Sequence, residues 1–149
     1  MNPISMLLFL SWIALLVGCA TEKTTLRTDA PDGLYCWTTN VAASYVLRSM
    51  VNDSSSRVSE ITTFIPQRVV VGASYHDRDR EVFPIEIKGQ AKEGMWDTWH
   101  DVLIVQNQNV YFGLAQRTSS SGSVVLCPDT RKEADAIVSM LRRRYSLPP

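Results

Sequence analysis

Val102-Leu103-Ile104-Val105-Gln106-Asn107-Gln108-Asn109-Val110-Tyr111-Phe112-Gly113-Leu114 holds two apolar runs separated by four consecutive amide side chains. Two β-rich runs around a short polar turn predict an antiparallel hairpin, Val102 to Val105 and Val110 to Leu114. Working toward the C-terminus, Ser119-Ser120-Ser121-Gly122 reads as a second turn and Ser123 to Leu126 as the strand that returns from it. Toward the N-terminus, Phe83, Ile85 and Ile87 alternate with Glu86 and Lys88 in the manner of a half-buried strand. Arg68 to Gly72 is a short β-branched run, and Arg57 to Ile65 predicts a further strand bounded by Pro66. Val41 to Val51 is a helix candidate, with Ala42, Tyr45, Val46, Ser49 and Met50 on one face after Thr39 or Asn40 as cap. Its alternative is a strand continuing from Tyr35.

The last segment changes period. Thr130-Arg131-Lys132-Glu133 has the form of a capping box, and Ala134, Ile137, Val138, Leu141 and Tyr145 then share one helical face. Arg142, Arg143 and Arg144 sit where positive charge suits the helix dipole, and Leu147-Pro148-Pro149 cannot prolong it. The expected fold is α+β: an antiparallel sheet of about five to seven short strands, a C-terminal amphipathic helix across one face, and one disulfide.

The chain has 149 residues, with 15 Lys plus Arg against 15 Asp plus Glu. Zero net charge argues against nucleic-acid binding, which shows as a basic excess. An apolar fraction of 45% and a charged fraction of 20% belong to a folded chain with one core. No Asp, Glu, Lys or Arg occurs between Met1 and Thr21.

Inside that uncharged stretch, Met6 to Val17 is an apolar run of 12 residues, the length of a secretory signal core and short of a bilayer span. It closes on Leu16-Val17-Gly18-Cys19, which resembles the lipobox of bacterial lipoproteins. The resemblance implies removal of residues 1–18, acylation of Cys19, and, with Ala20 following, sorting to the periplasmic face of the outer membrane. Several acyl chains, at about 0.8 kcal/mol per buried methylene, make such an anchor permanent. Residues 19–32 read as a polar, Thr-rich tether with a root-mean-square reach of roughly 20 Å, leaving 33–149 as a single domain.

With Cys19 acylated, Cys36 and Cys127 are left, and in an exported protein two remaining thiols most economically pair. Their loop of about 90 residues would contribute roughly 4–5 kcal/mol on the loop-entropy model. The alternative is two separate buried thiols.

Residues with chemical potential are few. His76-Asp77 and His100-Asp101 could join in a divalent-metal site if the fold brought them together, although neighbouring side chains on a strand face opposite ways. Tyr75 to Arg80 reads more simply as a solvated hairpin loop. Met95-Trp96-Asp97-Thr98-Trp99-His100 places two tryptophans three residues apart, so Trp96 and Trp99, bordered by His100 and Asp101, are the first candidates for a partner-binding surface. Arg142, Arg143 and Arg144 are candidates for contact with anionic lipid. The serine run lacks the G-x-S-x-G elbow, and no Gly-rich phosphate loop is present, so no catalytic residue, metal or cofactor is expected.

Leu34-Tyr35-Cys36-Trp37 and Ser121-Gly122-Ser123 look like features of the periplasmic lysozyme inhibitors, in which a Ser-Gly-containing loop enters the enzyme's cleft. The departures are an aromatic stretch that precedes that loop and a terminal helix without counterpart. Three functions follow as expectations: a non-enzymatic binding or accessory subunit of an envelope protein complex; a lipid-anchored inhibitor or immunity protein; and a metal-dependent hydrolase using His76 and His100.

Overall fold

A computed structural model describes residues 26–49, 55–91, 101–117 and 122–149. The fold is α+β, mostly antiparallel strands with a C-terminal helix. Eleven strands occur in the described residues, more than the five to seven expected. They are β1 (Leu26–Thr28), β2 (Gly33–Trp37), β3 (Tyr45–Ser49), β4 (Ser55–Glu60), β5 (Phe64–Val71), β6 (Tyr75–Asp77), β7 (Arg80–Val82), β8 (Ile85–Ala91), β9 (Asp101–Gln106), β10 (Asn109–Arg117) and β11 (Gly122–Leu126). The helix, α1, spans Arg131–Tyr145.

Nine strands form one sheet in the order β1-β3-β4-β2-β9-β10-β11-β8-β5, and β1 also pairs with β10. That extra pairing closes β1, β3, β4, β2, β9 and β10 into a six-stranded barrel. Closure works because β10 is long: nine residues of strand span roughly 30 Å. One of its edges accepts Arg27 opposite Asn109 and, farther along, holds β11 from Leu114 to Arg117. Strands β11, β8 and β5 thus leave the barrel as a wing, over which α1 packs against β5, β2 and β9.

The predicted hairpin is β9–β10. Its turn is Asn107-Gln108, both with positive φ (50° and 65°), the two-residue geometry whose twist matches that of paired strands. Its apolar run is continuous because both faces are covered. Leu103 and Val105 point into the barrel with Tyr35, Leu47, Val58 and Val110. Val102 and Ile104 point to the core shared with α1, among Leu34, Ile85, Ile87, Val124, Ile137 and Leu141. The capping threonine is also found: Thr130 Oγ1 accepts the Glu133 amide at 3.1 Å, while its hydroxyl donates to Glu133 Oε2 at 3.2 Å. The helix ends on Ser146 in a left-handed conformation, φ 52°, and Tyr145 reaches back so that its hydroxyl accepts the Leu34 amide at 2.9 Å.

Several expectations are corrected. The helix expected over Val41 to Val51 is not found in residues 41–49, Met50 and Val51 lying outside the described residues: β3 begins at Tyr45, and Leu47, which lies off the supposed helical face, is the residue buried at 2%. Flanking β1 and β4 supply its backbone partners, and alternation puts Leu47 in the barrel. Arg57 to Ile65 is two strands, β4 and β5, and Pro66 lies within β5 instead of bounding it. There β5 is a sheet edge with a register shift between Pro66 and Arg68, the situation in which a strand tolerates proline. Phe83 lies between β7 and β8, its amide donating to the Pro128 carbonyl at 3.1 Å. The tether does not extend to residue 32: Leu26–Thr28 is a barrel strand. Thr28 Oγ1 donates to the Val46 carbonyl at 2.8 Å and accepts the Ala30 amide at 3.1 Å, and Asp32 Oδ1 accepts the Asn107 amide at 2.7 Å. Polar side chains that read as solvated are spent on backbone partners.

The disulfide is also absent, since neither Cys36 nor Cys127 is bridged. Cys36 is on β2 and Cys127 follows β11, and β9 and β10 stand between them. Three strand intervals amount to roughly 14 Å along the sheet, against a Cα separation of about 4.4–6.8 Å in a bridge. Cys36 Sγ lies 3.8 Å from Ser59 Oγ, and Cys127 Sγ lies 3.6 Å from the Tyr75 hydroxyl. Dithiothreitol is therefore expected to leave the unfolding midpoint unchanged, and thiol counting after denaturation to find both cysteines reactive. A midpoint that drops on reduction would reinstate the bridge.

Gly89 on β8 faces the shifted register of β5. A Cβ there would collide with the Ile65 carbonyl oxygen and stand 2.7 Å from Phe64 Cζ. Gly89→Ala is expected to destabilise the protein by about 1–3 kcal/mol in chemical denaturation, the usual cost of overpacking. An unchanged midpoint would mean that the wing packs differently.

Candidate functional site at the barrel mouth

Barrel closure leaves one end lined by aromatic rings. On β2, Tyr35 and Trp37 face the barrel while Leu34 and Cys36 face the other core. Tyr35 packs edge-on to Tyr45, with ring centroids 5.8 Å apart, and its hydroxyl donates to the Pro31 carbonyl at 2.7 Å. Trp37, at the strand's end, tilts over Phe112 at 6.4 Å. The phenol is enclosed but the indole is not: Trp37 is 44% exposed.

The chain from 38 to 44 is fixed by its own side chains. Thr38 Oγ1 accepts the Asn40 amide at 3.1 Å, Asn40 Oδ1 accepts the Ala42 amide at 3.0 Å, and Ser44 Oγ donates to the Val41 carbonyl at 3.0 Å. These are the short-range turns that Ser, Thr and Asn favour. Both ends are tied to Arg57, whose carbonyl accepts the Thr38 amide at 3.0 Å and whose Nη1 stands 3.4 Å from Ser44 Oγ. At the tip of this braced loop Val41 is 63% exposed. Between loop and barrel wall lies an open groove of about 550 Å³ lined by Trp37, Thr38, Thr39, Ser56 and Arg57. It offers an indole face, a guanidinium and three hydroxyls, a set suited to holding a ligand or a partner side chain.

The sequence candidates fall elsewhere. Trp96, Trp99 and His100 lie outside the described residues, as does Cys19; Asp101 opens β9, its Cα opposite Leu114. His76 is exposed on β6, in the hairpin expected for it, with Arg78 and Asp79 at the turn. Among the described residues no three His, Cys, Asp or Glu side chains gather as a metal site. Gly122 and Ser123 are the first residues of β11, opposite Arg117 and Gln116, and Ser121 lies outside the described residues. The three helix-end arginines are not equivalent. Arg144 pairs with Glu60 at 2.8 Å and stacks at 5.9 Å on its neighbour Tyr145, Arg142 Nε is buried, and Arg143 is exposed. Sequence reasoning missed Trp37, Val41 and Arg57 as a group. The available signal was Thr38-Thr39-Asn40, turn chemistry placed directly after an apolar strand ending in tryptophan.

No protein-family model, curated protein or solved structure matches this chain.

Burial raises the hydroxyl pKa of Tyr35, Tyr145 and Tyr111 above the ordinary 10.0. Glu60 adds to the effect at Tyr35, and at Tyr145 the Leu34 amide partly offsets it. Each folded phenol holds its proton more tightly than the unfolded one, so the stability they contribute is complete below pH 10 and lost as pH rises beyond it. Urea midpoints are expected to fall above about pH 10 together with the absorbance of ionised tyrosine. A urea midpoint that stays constant well above pH 10 would place these phenols in water.

Proposed function

We propose that this chain is a lipoprotein of the bacterial outer membrane, anchored through Cys19 on the periplasmic face. Its barrel binds another envelope protein without catalysis, as an accessory or assembly subunit. The lipobox resemblance supports the anchor. The observation that carries the binding role is the braced loop with Trp37 and Val41 held in the open. Exposed apolar side chains are ordinary on a surface, but here three side-chain hydrogen bonds and Arg57 hold the loop in one conformation. A preformed loop loses less entropy on binding, and tryptophan is the residue most enriched at the energetic centres of interfaces.

The test is a photo-crosslinking amino acid at position 41 in the lipidated protein, irradiated in detergent-solubilised envelopes. One adduct of fixed stoichiometry is expected, and it should vanish in Trp37→Ala. That variant loses an aromatic contact of about 0.5–1.5 kcal/mol and is expected to remain folded. No adduct, or the same adduct in Trp37→Ala, would overturn the assignment of this surface.

A further inference from the structure

Three arginines stand on the outer wall of the barrel. Strand pairing puts Arg27 of β1 directly opposite Arg48 of β3, and Arg57 of β4 opposite Val46 of β3. Thr28, Leu47 and Val58, their neighbours in sequence, are buried, so alternation turns the arginines outward. Arg27 and Arg48 are exposed and Arg57 is half-buried. None of the three is ion-paired to a described carboxylate. Asp29, at the end of β1, accepts the Val46 amide at 3.2 Å.

Like charges directly opposed on neighbouring strands weaken a sheet. The Arg27–Arg48 pairing therefore costs the fold stability, a cost that an anionic surface outside the barrel would offset. The path of the chain says where that partner lies. With β1 starting at Leu26, only six residues separate the barrel from Cys19, and even fully extended they span at most about 25 Å. The strand that carries Arg27 is thus the part of the described domain nearest the anchor along the chain.

We propose that the face carrying Arg27 and Arg48 docks on the anionic phospholipid headgroups of the bilayer that holds Cys19, setting the orientation of the barrel on the membrane, while the Arg57 guanidinium stays with Ser44 at the braced loop. This rests on the lipid-anchor reading above. It also moves the expected lipid contact away from Arg142, Arg143 and Arg144, where Arg144 is already committed to Glu60. A basic residue close to an anionic surface shifts the docked population by a factor of about five.

The lipidated protein, carrying a fluorescent amino acid at Ser55 beside Arg48, is reconstituted into vesicles with headgroup-labelled quencher. On vesicles with about one third phosphatidylglycerol, strong quenching that weakens as salt rises is expected, with little on phosphatidylcholine alone. R27Q/R48Q should lower the ratio of docked to undocked protein by about 25-fold while leaving the urea midpoint unchanged or higher, because a repulsion is removed. R143Q, at the helix end, should quench as the parent does. Equal quenching on neutral and anionic vesicles, or in R27Q/R48Q and the parent, would overturn the docking face while leaving the anchor intact. A mature N-terminal peptide without acyl mass would instead overturn the anchor reading itself.

Discussion

Burial of β9 on both faces is the constraint on which the other elements depend. Leu103 and Val105 fill the barrel, while Val102 and Ile104 form the floor beneath α1, and each is at most 1% exposed. At about 1.5–3 kcal/mol per enclosed aliphatic side chain, this one strand gathers on the order of 6–12 kcal/mol before conformational entropy is subtracted. It can do so only if β2 and β10 flank it and if barrel and helix cover it from opposite sides. The Asn107-Gln108 turn sets the register of β10, and the length of β10 then fixes where β1 closes the barrel and where β11 begins the wing. Removal of either cover would expose a row of apolar side chains that no polar residue interrupts.

Helix and hairpin were legible in the sequence because their signals are local. The threonine cap, the 3.6-residue spacing from Ala134 to Tyr145 and the amide-rich turn each lie within a few residues of the structure they specify. The barrel was not legible, because it depends on pairings between distant segments. Leu26–Thr28 carries too few apolar residues to announce a strand, and its membership comes from Thr28 and Asp32 bonding to backbone far along the chain. Tyr45–Ser49 has a spacing compatible with either period, and only flanking strands decide it. The cysteines misled for a related reason: pairing by economy counts residues but ignores the two strands that stand between them.

The candidate surface shows a similar division. Tryptophan content drew attention to Trp96 and Trp99, whereas among the described residues it is Trp37 that stands exposed beside a braced loop. Its exposure results from where β2 ends, a property of sheet topology that composition does not carry. The arginines of the outer wall were likewise scattered in sequence at 27, 48 and 57, and adjacency arose only once β1, β3 and β4 were paired. By contrast, the consecutive helix-end arginines, conspicuous in sequence, are divided by the fold among an ion pair, a buried nitrogen and solvent.

Strand β1 has a mechanical meaning that its three residues conceal. It pairs along its length with β3, but its hold on β10 is the Arg27–Asn109 pairing and the Thr28 amide donating to the Gln108 carbonyl at 3.3 Å. Any pull on the chain before Leu26 is therefore borne first by the shortest strand of the barrel. The bonds of such a strand at a chain end yield in succession, not all at once. The barrel has a seam, and under tension it would open there, leaving the β9–β10 hairpin and the helix-covered wing in place.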